Sequence, residues 1–562
     1  MATAQASADN AAAPLDQLLV DVGAGPVRRW LPGRPGVEFI ASLAGKPGKV
    51  GRRVSTMLGE LDRVALGTSA VEPKRGDRRF ADRAWTHNPW LRRLVQAYLV
   101  PGDAVAGLVD DAGLAWRSDQ KIRFLAENLV EAISPSNVLF VNPASAKAVI
   151  DTGGASVVRG ARAFVRDMSS SPRVPRMVDP DALKPGRDLA LTPGAVVFRS
   201  PVLELIQYTP QTERVRSVPL LIVPPTINKF YVTDLAPGRS LIEYLVQSGQ
   251  QVFVISWRNP RPDGAAWGMD TYGEAILDAL GAIDKICEID RTLLLAACSG
   301  GIITSMLLGH LAARGRLDRI AGFGLLVTVL DQAKAGLPAA LVSKAMLDRA
   351  AASSARKGYL DGATLAELFA WLRPGDLIWN YWVNNYLLGR EPPVFDILSW
   401  NADTTRMSAA LHRDFLTVAG TNQLVTPGAA MMMGTPVDLS AVGVDNYVVA
   451  GAADHLCPWQ NCYQSTQLLG GDSRFVLSTS GHIAAIVNPP GNPKASYRVG
   501  DEKLADAGQW MQTSSTEQGS WWDDYVGWLT ERGGPQKPSP AELGTTGLAP
   551  LAGAPGTYIF ES

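Results

Sequence analysis

One cysteine, Cys298, stands where an apolar strand pattern gives way to a helical one. The strand pattern covers Arg291–Ala297 and the helical pattern covers Ile302–His310, with one serine and two glycines between the cysteine and the helix. A reactive atom on such a sharp turn is exposed at the edge of a sheet, and small neighbours let the backbone bend. A lone buried cysteine is ordinarily a small core residue. Because this thiol lies on a turn of that kind, the pattern predicts acyl or thioester transfer through Cys298.

A thiol nucleophile needs a base, and the base needs a group that holds its tautomer. In α/β-hydrolases these parts follow one another along the chain as nucleophile, acid and histidine. The sequence supplies that order with Cys298, Asp454 and His482. Asp454 directly follows an apolar strand pattern, although an Asp-His pair is also typical of a turn or a helix cap. His455 is an auxiliary and weaker candidate for the base.

The negative charge that develops on the substrate carbonyl needs backbone N–H donors. One predicted donor is the N–H of Ser299, directly after the nucleophile. A second should come from the loop after an early strand, Val223–Phe230. Ile227 is our candidate in that loop, and the neighbouring N–H groups remain alternatives.

The strands that must position these residues are short and apolar, and several are separated by helical patterns. Continuous apolar strands alternating with helices indicate a largely parallel sheet covered on both faces. The fold class is therefore predicted as α/β, an α/β-hydrolase fold with an inserted helical lid at about 331–415, where no strand pattern occurs. The predicted strands are Val196–Phe198, Leu203–Tyr208, Leu220–Val223, Gln251–Ser256, Thr292–Leu295, Phe323–Val327 and Asn446–Ala450.

A chain of 562 residues is too long for a single core, so we expect more than one domain. Residues 1–15 are alanine-rich and predicted to be a disordered tail. Residues 16–190 show helical periodicity and form a predicted helical N-terminal domain. Residues 191–562 form the predicted catalytic domain, whose tail from Gly533 should lie extended over the surface.

Composition narrows the classes of partner and compartment. The formal net charge of −1 gives no electrostatic basis for binding nucleic acid. The four cysteines are too few for a disulfide framework, and the spacing of Cys457 and Cys462 without a second ligand pair argues against zinc. We expect no secretory signal and no transmembrane segment. The protein is therefore expected in the cytoplasm, where a thiolate survives.

Several motifs together resemble the polyhydroxyalkanoate synthases, the polyester polymerases of storage granules. The Ala-Cys-Ser-Gly-Gly box and the segment Val197–Tyr208 are most similar to the class II members, although Ala296 replaces the first glycine of the family's box. The alanine is compatible with the turn if its φ is negative. The other motifs are Gly76–Trp85, Pro224–Tyr231, Ser256–Pro260, Asp376–Gly389, Pro393–Arg406, Ser480–Ile483 and Asn488–Lys494.

The resemblance implies roles for these residues. Cys298 would carry the growing acyl chain, and His482 would deprotonate the Cys298 thiol. Asp454 would either assist the 3-hydroxyl group of the incoming unit or orient a histidine. Trp400 resembles a family tryptophan tied to dimer contacts, or it is a core aromatic residue of the lid. The lid aromatics, from Trp379 to Tyr386, would form the lid core or the wall of a substrate tunnel.

The implied function is the polymerisation of (R)-3-hydroxyacyl-CoA, of medium chain length, into polyhydroxyalkanoate with release of CoA. No cofactor is expected, because a thiolate and an oxyanion hole suffice for acyl exchange. The resemblance further implies a homodimer at the surface of cytoplasmic polyester granules, with granule-associated proteins as candidate partners. Two alternatives remain: a thioesterase or polyester depolymerase that uses water, and a granule-coating protein without catalysis.

Overall fold

The chain forms two compact units. Within the described residues, the helical unit comprises 32–179 and Ala363–Val394, and the sheet unit comprises Pro180–Gly362 and 395–561. The computed structural model describes residues 32–169, 172–332, 344–372, 374–454 and 456–561, so the predicted tail at 1–15 lies outside the described residues.

The predicted insertion at about 331–415 is divided between the units. Its middle part, Ala363–Val394, packs with the N-terminal helices, and its two ends belong to the sheet unit. The first domain boundary, predicted at residue 190, falls at Pro180. The structure therefore gives each unit a share of the segment that the sequence assigned to one lid.

The helical unit is built from helices whose ends the sequence marks clearly. In the helix Pro89–Ala112, the Asn88 side chain accepts hydrogen bonds from two backbone N–H groups of the first turn, and proline occupies the first position. The helix ends at Gly113, which has a positive φ of 57°. The helices of this unit are Gly33–Ala44, Pro47–Leu66, Ala84–His87, Pro89–Ala112, Trp116–Ala132, Pro143–Asp151 and Ala155–Met168, with Gly362–Leu372 at the boundary.

The aromatic residues of the predicted lid belong to this helical unit. Trp379, Trp382 and Tyr386 lie on two π-helical segments, Gly375–Trp379 and Trp382–Leu387, and Tyr381 lies between these segments. Phe164 packs edge-on against the rings of both Trp382 and Tyr386, at centroid distances of 5.9 and 5.4 Å. These rings therefore form part of a core, although it is the core of the helical unit rather than of a separate lid.

The sheet unit contains the sheet that the sequence predicts. All seven predicted strands are present. The strands are β1 (Gly194–Arg199), β2 (Leu203–Tyr208), β3 (Arg214–Arg216), β4 (Leu220–Val223), β5 (Val252–Trp257), β6 (Thr292–Ala297), β7 (Ile320–Leu326), β8 (Tyr359–Leu360), β9 (Met407–Ser408), β10 (Met431–Met432), β11 (Thr435–Pro436), β12 (Asn446–Gly451), β13 (Ser473–Ser478), β14 (Ser496–Gly500), β15 (Ser515–Gln518), β16 (Gln536–Pro538) and β17 (Ala552–Gly553).

Eleven of these strands form one sheet in the order β15-β14-β13-β12-β7-β6-β4-β5-β2-β1-β17. The six central strands, from β13 to β5, run parallel, and the strands on both sides of them are antiparallel. The carboxyl ends of the parallel strands therefore meet at one edge, where β6, β12 and β13 lead into the predicted catalytic loops.

Helices complete the sheet unit, and the helix after β6 is its most buried one. Twelve of the sixteen residues of Cys298–Ala313 are buried, which matches a helix that is apolar on all sides. None of the helices in the described ranges combines the length and apolar character that a bilayer crossing requires. The helices are Leu241–Gln247, Met269–Cys287, Cys298–Ala313, Lys344–Lys357, Asp396–Ala402, Ala409–Gly420, Trp459–Leu468, His482–Ile486, Ala507–Thr513 and Trp521–Arg532.

Two details differ from the sequence prediction. The insertion, where no strand was expected, contains the two-residue strands β8 and β9, which pair with each other. The tail from Gly533 lies extended over the surface as expected, since most of its residues are exposed or half-buried, but it also contains two strands that were not predicted: β16 pairs with β3 and β17 pairs with β1. The buried Glu204 carboxylate accepts hydrogen bonds from the N–H groups of Thr557 and Tyr558, which ties the tail to the sheet.

Candidate active site

Cys298 sits at a strained turn between strand β6 and the helix that follows it. The strand ends at Ala297, the helix begins at Cys298, and the cysteine has a positive φ of 49°. Positive φ is uncommon for residues other than glycine, and a nucleophile elbow requires it. Gly300 is needed for a different reason, since a Cβ there would lie 2.3 Å from the Pro224 carbonyl oxygen. The turn therefore depends on strain at the cysteine and on close packing beyond it.

The replacement of the family's glycine by Ala296 is compatible with this turn. Ala296 is a fully buried residue of β6 and does not have a positive φ. A methyl group at that position adds no backbone strain, because only positive φ penalises a Cβ. Ala296 therefore meets the condition that the sequence analysis set, namely that its φ is not positive.

The structure brings the predicted acid and base together. The His482 Nδ1 atom hydrogen-bonds to Asp454 Oδ2 at 2.6 Å. The other oxygen of Asp454 accepts hydrogen bonds from the N–H groups of Leu456 and Cys457, at 2.8 and 2.9 Å. Asp454 follows β12 and His482 begins the short helix after β13, so adjacent parallel strands deliver the pair. With Nδ1 occupied, the histidine has Nε2 left to face the nucleophile.

The Cys298 sulfur is held as a thiolate by its neighbours. A hydrogen bond from the Cys457 thiol lowers the pKa of Cys298 most; burial opposes this, and His482 and the Ser299 N–H lower the pKa further. Burial alone would lower the pKa of His482, but the Asp454 carboxylate and the Cys298 sulfur raise it above its usual range. Both shifts favour a thiolate beside an imidazolium at neutral pH.

Cys457 is the site residue that the sequence argument missed. Its side chain is 4% exposed, and its sulfur lies with the Cys298 sulfur and a His482 ring nitrogen in a cluster no wider than 4.8 Å. The hydrogen bond to Cys298, together with burial, raises the pKa of Cys457 well above its usual range, so this thiol remains a donor. The available signal was its position three residues after the predicted acid.

Ser299, the first predicted oxyanion donor, directly follows Cys298 and contacts the loop that carries the second predicted donor. The Ser299 N–H reaches the Cys298 sulfur, and the Ser299 hydroxyl accepts a hydrogen bond from the Thr226 N–H at 2.9 Å. In the loop after β4, the Asn228 N–H donates to Thr405 Oγ1 at 2.8 Å. The Ile227 N–H between them has no acceptor among the described residues. Among the N–H groups of Thr226, Ile227 and Asn228, that of Ile227 therefore stays available to a substrate oxygen.

The last part of the predicted insertion holds this loop in place. The Trp400 indole N–H donates to the Lys229 carbonyl at 2.8 Å, and the Lys229 ammonium pairs with Asp403 at 2.7 Å. Asp403 also accepts a hydrogen bond from the Tyr231 hydroxyl at 2.9 Å. Together with the bond from the Asn228 N–H to Thr405, these contacts hold the residues that follow the candidate oxyanion donor, and the bond from the Thr226 N–H to Ser299 holds the residue before it.

The two remaining predicted residues have different outcomes. Trp400 is 3% exposed, which fits the alternative of a core aromatic residue, and its dimer contact stays a prediction. His455 lies outside the described residues. The arrangement as a whole can form a covalent acyl-cysteine and exchange it with a second nucleophile.

Two sequence families match the chain. Residues 76–245 match the family described as the N-terminus of poly-beta-hydroxybutyrate polymerase (PhaC), and residues 219–489 match the alpha/beta hydrolase fold. The second match confirms the predicted fold class of the sheet unit.

Relatives cover nearly the whole chain. Poly(3-hydroxyalkanoate) polymerase 2 of Ectopseudomonas oleovorans is 44% identical over 503 residues, which are 89% of this chain and 90% of that protein. Poly(3-hydroxyalkanoate) polymerase subunit PhaC of Cupriavidus necator is 36% identical over 538 residues, which are 94% of this chain and 91% of that protein. The similarity therefore extends across both units.

Proposed function

The chain belongs to the poly(3-hydroxyalkanoate) polymerase family, and on that basis we propose that it is an acyltransferase that polymerises (R)-3-hydroxyacyl-CoA into polyester with release of CoA. The observation that carries the proposal is the placement of the Cys298 sulfur within 4.8 Å of a ring nitrogen of His482, whose Nδ1 is fixed by Asp454. The higher identity to the E. oleovorans polymerase and the class II resemblance support medium-chain substrates.

Acylation of the enzyme begins with attack of the Cys298 thiolate on the thioester carbonyl carbon. The N–H groups of Ser299 and Ile227 stabilise the negative charge on the carbonyl oxygen. When this intermediate collapses, the bond to the CoA sulfur breaks and the departing thiolate takes the proton from His482. The products are an acyl-cysteine, free CoA and a neutral imidazole.

Chain growth uses the neutral His482 as a base. It accepts the proton of a 3-hydroxyl group, whose oxygen attacks the carbonyl carbon of an acyl thioester. The new ester bond forms as the carbon–sulfur bond of the thioester breaks, and the protonated His482 balances the charge of the departing thiolate. Asp454 orients the imidazole of His482 and does not act on the 3-hydroxyl group of the substrate. One of its oxygens binds the imidazole and the other accepts two backbone N–H groups, so both oxygens are engaged in holding the site together.

The proposed reaction requires neither a metal nor a redox group, because the thiolate and the backbone donors supply the needed charge. We further propose that the enzyme works as a homodimer in the cytoplasm at the surface of polyester granules, with granule-associated proteins as partners. This placement rests on the resemblance stated from the sequence.

The test is product analysis with the purified full chain and (R)-3-hydroxyacyl-CoA of graded chain length. We expect CoA release together with insoluble polyester, and the highest rate with medium-chain thioesters. Cys298→Ala should abolish both products, whereas Cys462→Ala, at a buried cysteine outside the cluster, should retain them. Free hydroxy acid as the main product would instead establish hydrolysis. Absence of CoA release would support the non-catalytic coat protein.

A further inference from the structure

Beyond acyl transfer, the active site holds a set of soft metal ligands. Sulfurs of Cys298 and Cys457 and a ring nitrogen of His482 all lie within 4.8 Å of one another. We propose that these three side chains bind one Zn²⁺ ion, and that the bound ion reversibly blocks the nucleophile. The ligand set differs from the Cys457 and Cys462 pair considered from the sequence.

The chemistry of the three groups suits zinc. Two thiolates and one imidazole, with a fourth position left open, form a known catalytic-type zinc set. Zinc bonds of about 2.3 Å to sulfur and about 2.0 Å to nitrogen place tetrahedral ligand atoms roughly 3.5–3.8 Å apart. Side chains spread over at most 4.8 Å therefore need to close by about 1 Å.

The second layer of the site is already arranged for a metal. A histidine ligand usually donates its other ring N–H to a carboxylate, which fixes its orientation. His482 makes this contact through Nδ1 to Asp454, and so presents Nε2 to the two sulfurs. Asp454 also accepts the Cys457 N–H at 2.9 Å, so one carboxylate orients two of the three ligands.

The ion would enter from the substrate side and carry an inhibitory consequence. Cys298 is partly exposed, whereas Cys457 and His482 are buried, so the open position faces the path of the thioester. Binding turns the Cys457 thiol into a thiolate and the imidazolium into an imidazole, and about two protons pass to solvent. The Cys298 sulfur then donates its electron pair to the metal, and this pair is no longer available to attack a carbonyl carbon. Only this inhibition, and not the binding itself, rests on the proposed function.

Zinc binding is measured on the full chain after treatment with a chelator, by competition of Zn²⁺ with a chromogenic chelator and without any acyl-CoA. We expect one ion per chain, with affinity reduced at least a hundredfold in Cys457→Val. Cys462→Val is the matched control, because the Cys462 sulfur lies outside the three-ligand cluster and hydrogen-bonds to the Cys457 carbonyl at 3.7 Å, so this variant should keep the wild-type affinity. Equal affinity in the wild type and Cys457→Val would overturn the proposal.

A second measurement needs no variant. Zinc at one equivalent should protect Cys298 of the wild-type chain from alkylation by iodoacetamide, and addition of a chelator should restore the reaction. Unprotected alkylation with zinc bound would show that the ion sits elsewhere and would refute the site. If zinc binds and protects but no thioester releases CoA, the metal site stands and the proposed polymerase activity fails.

Discussion

Replacement of His482 by glutamine should raise the pKa of the Cys298 thiol. In the wild type the imidazolium and the thiolate face each other, and the His482 contact is among the interactions that lower the pKa of Cys298. A group with a lowered pKa is charged at any pH above it, so the wild-type thiol reacts rapidly through neutral pH and loses reactivity only in acid. Glutamine keeps a polar side chain of similar reach but removes the positive charge.

The structure sets a lower limit for this change. The sulfur and the ring nitrogen are at most 4.8 Å apart. At that distance, with an effective dielectric constant near 20, the attraction between unit charges is about 3.5 kcal/mol. This energy corresponds to a rise of about 2.5 in the pKa of the thiol. Since the wild-type pKa is about 5, the variant should titrate near about 7.5. The thiolate fraction should then fall about fourfold at pH 7 and roughly 30-fold at pH 6.

The assay is the rate of iodoacetamide alkylation of Cys298 from pH 4 to 10, with the modified peptide identified by mass spectrometry. Burial protects the other three cysteines, so labelling reports on Cys298. His310→Gln is the control, because His310 lies on the same helix but contacts the Met432 carbonyl, and its profile should match the wild type. A midpoint for His482→Gln within half a pH unit of the wild type would refute the ion pair.

Three further predictions concern the framework. Gly300→Ala should lower the free energy of unfolding, measured in urea, by roughly 1–3 kcal/mol, because the added Cβ meets the Pro224 carbonyl oxygen. The control is Gly281→Ala, whose added Cβ has no atom within 4 Å and which should raise the free energy of unfolding by about 0.5–1 kcal/mol. Equal effects of the two substitutions would contradict the packing argument. Thr405→Val should reduce kcat roughly tenfold with little change in KM for CoA release, because the loop beside the oxyanion donor loses its anchor; an unchanged kcat would remove that role. Trp400→Phe should cost about 1 kcal/mol through the lost hydrogen bond to the loop, independently of protein concentration. A cost that grows on dilution would instead favour the dimer contact.

The sequence predicted best those features that a short segment determines by itself. Each core strand is a run of apolar residues buried on both faces, and this pattern stands out without any tertiary context. The chain order of Cys298, Asp454 and His482 was equally accessible, since each residue follows a strand of the same parallel sheet. Parallel strands bring such residues to one edge, as the hydrogen bond between Asp454 and His482 illustrates.

What the sequence left out depends on contacts between distant segments. Cys457 resembles any buried cysteine until the fold sets its sulfur against that of Cys298. Residues 363–394 have helical patterns that fit a lid equally well, and only their packing against the N-terminal helices assigns them to the helical unit. The tail from Gly533 gives little periodic signal, because its strands are two and three residues long.

The bonds between the oxyanion loop and the segment that holds it bear on enzyme engineering. Thr405, Asp403 and Trp400 each fasten one or two residues between 228 and 231, although about 170 positions separate the two stretches along the chain. A hybrid enzyme with a crossover between them would draw the loop from one parent and its anchors from the other. Such hybrids should fold around an intact Cys298 yet turn over slowly, so a recombination library gains by inheriting both stretches as a single block.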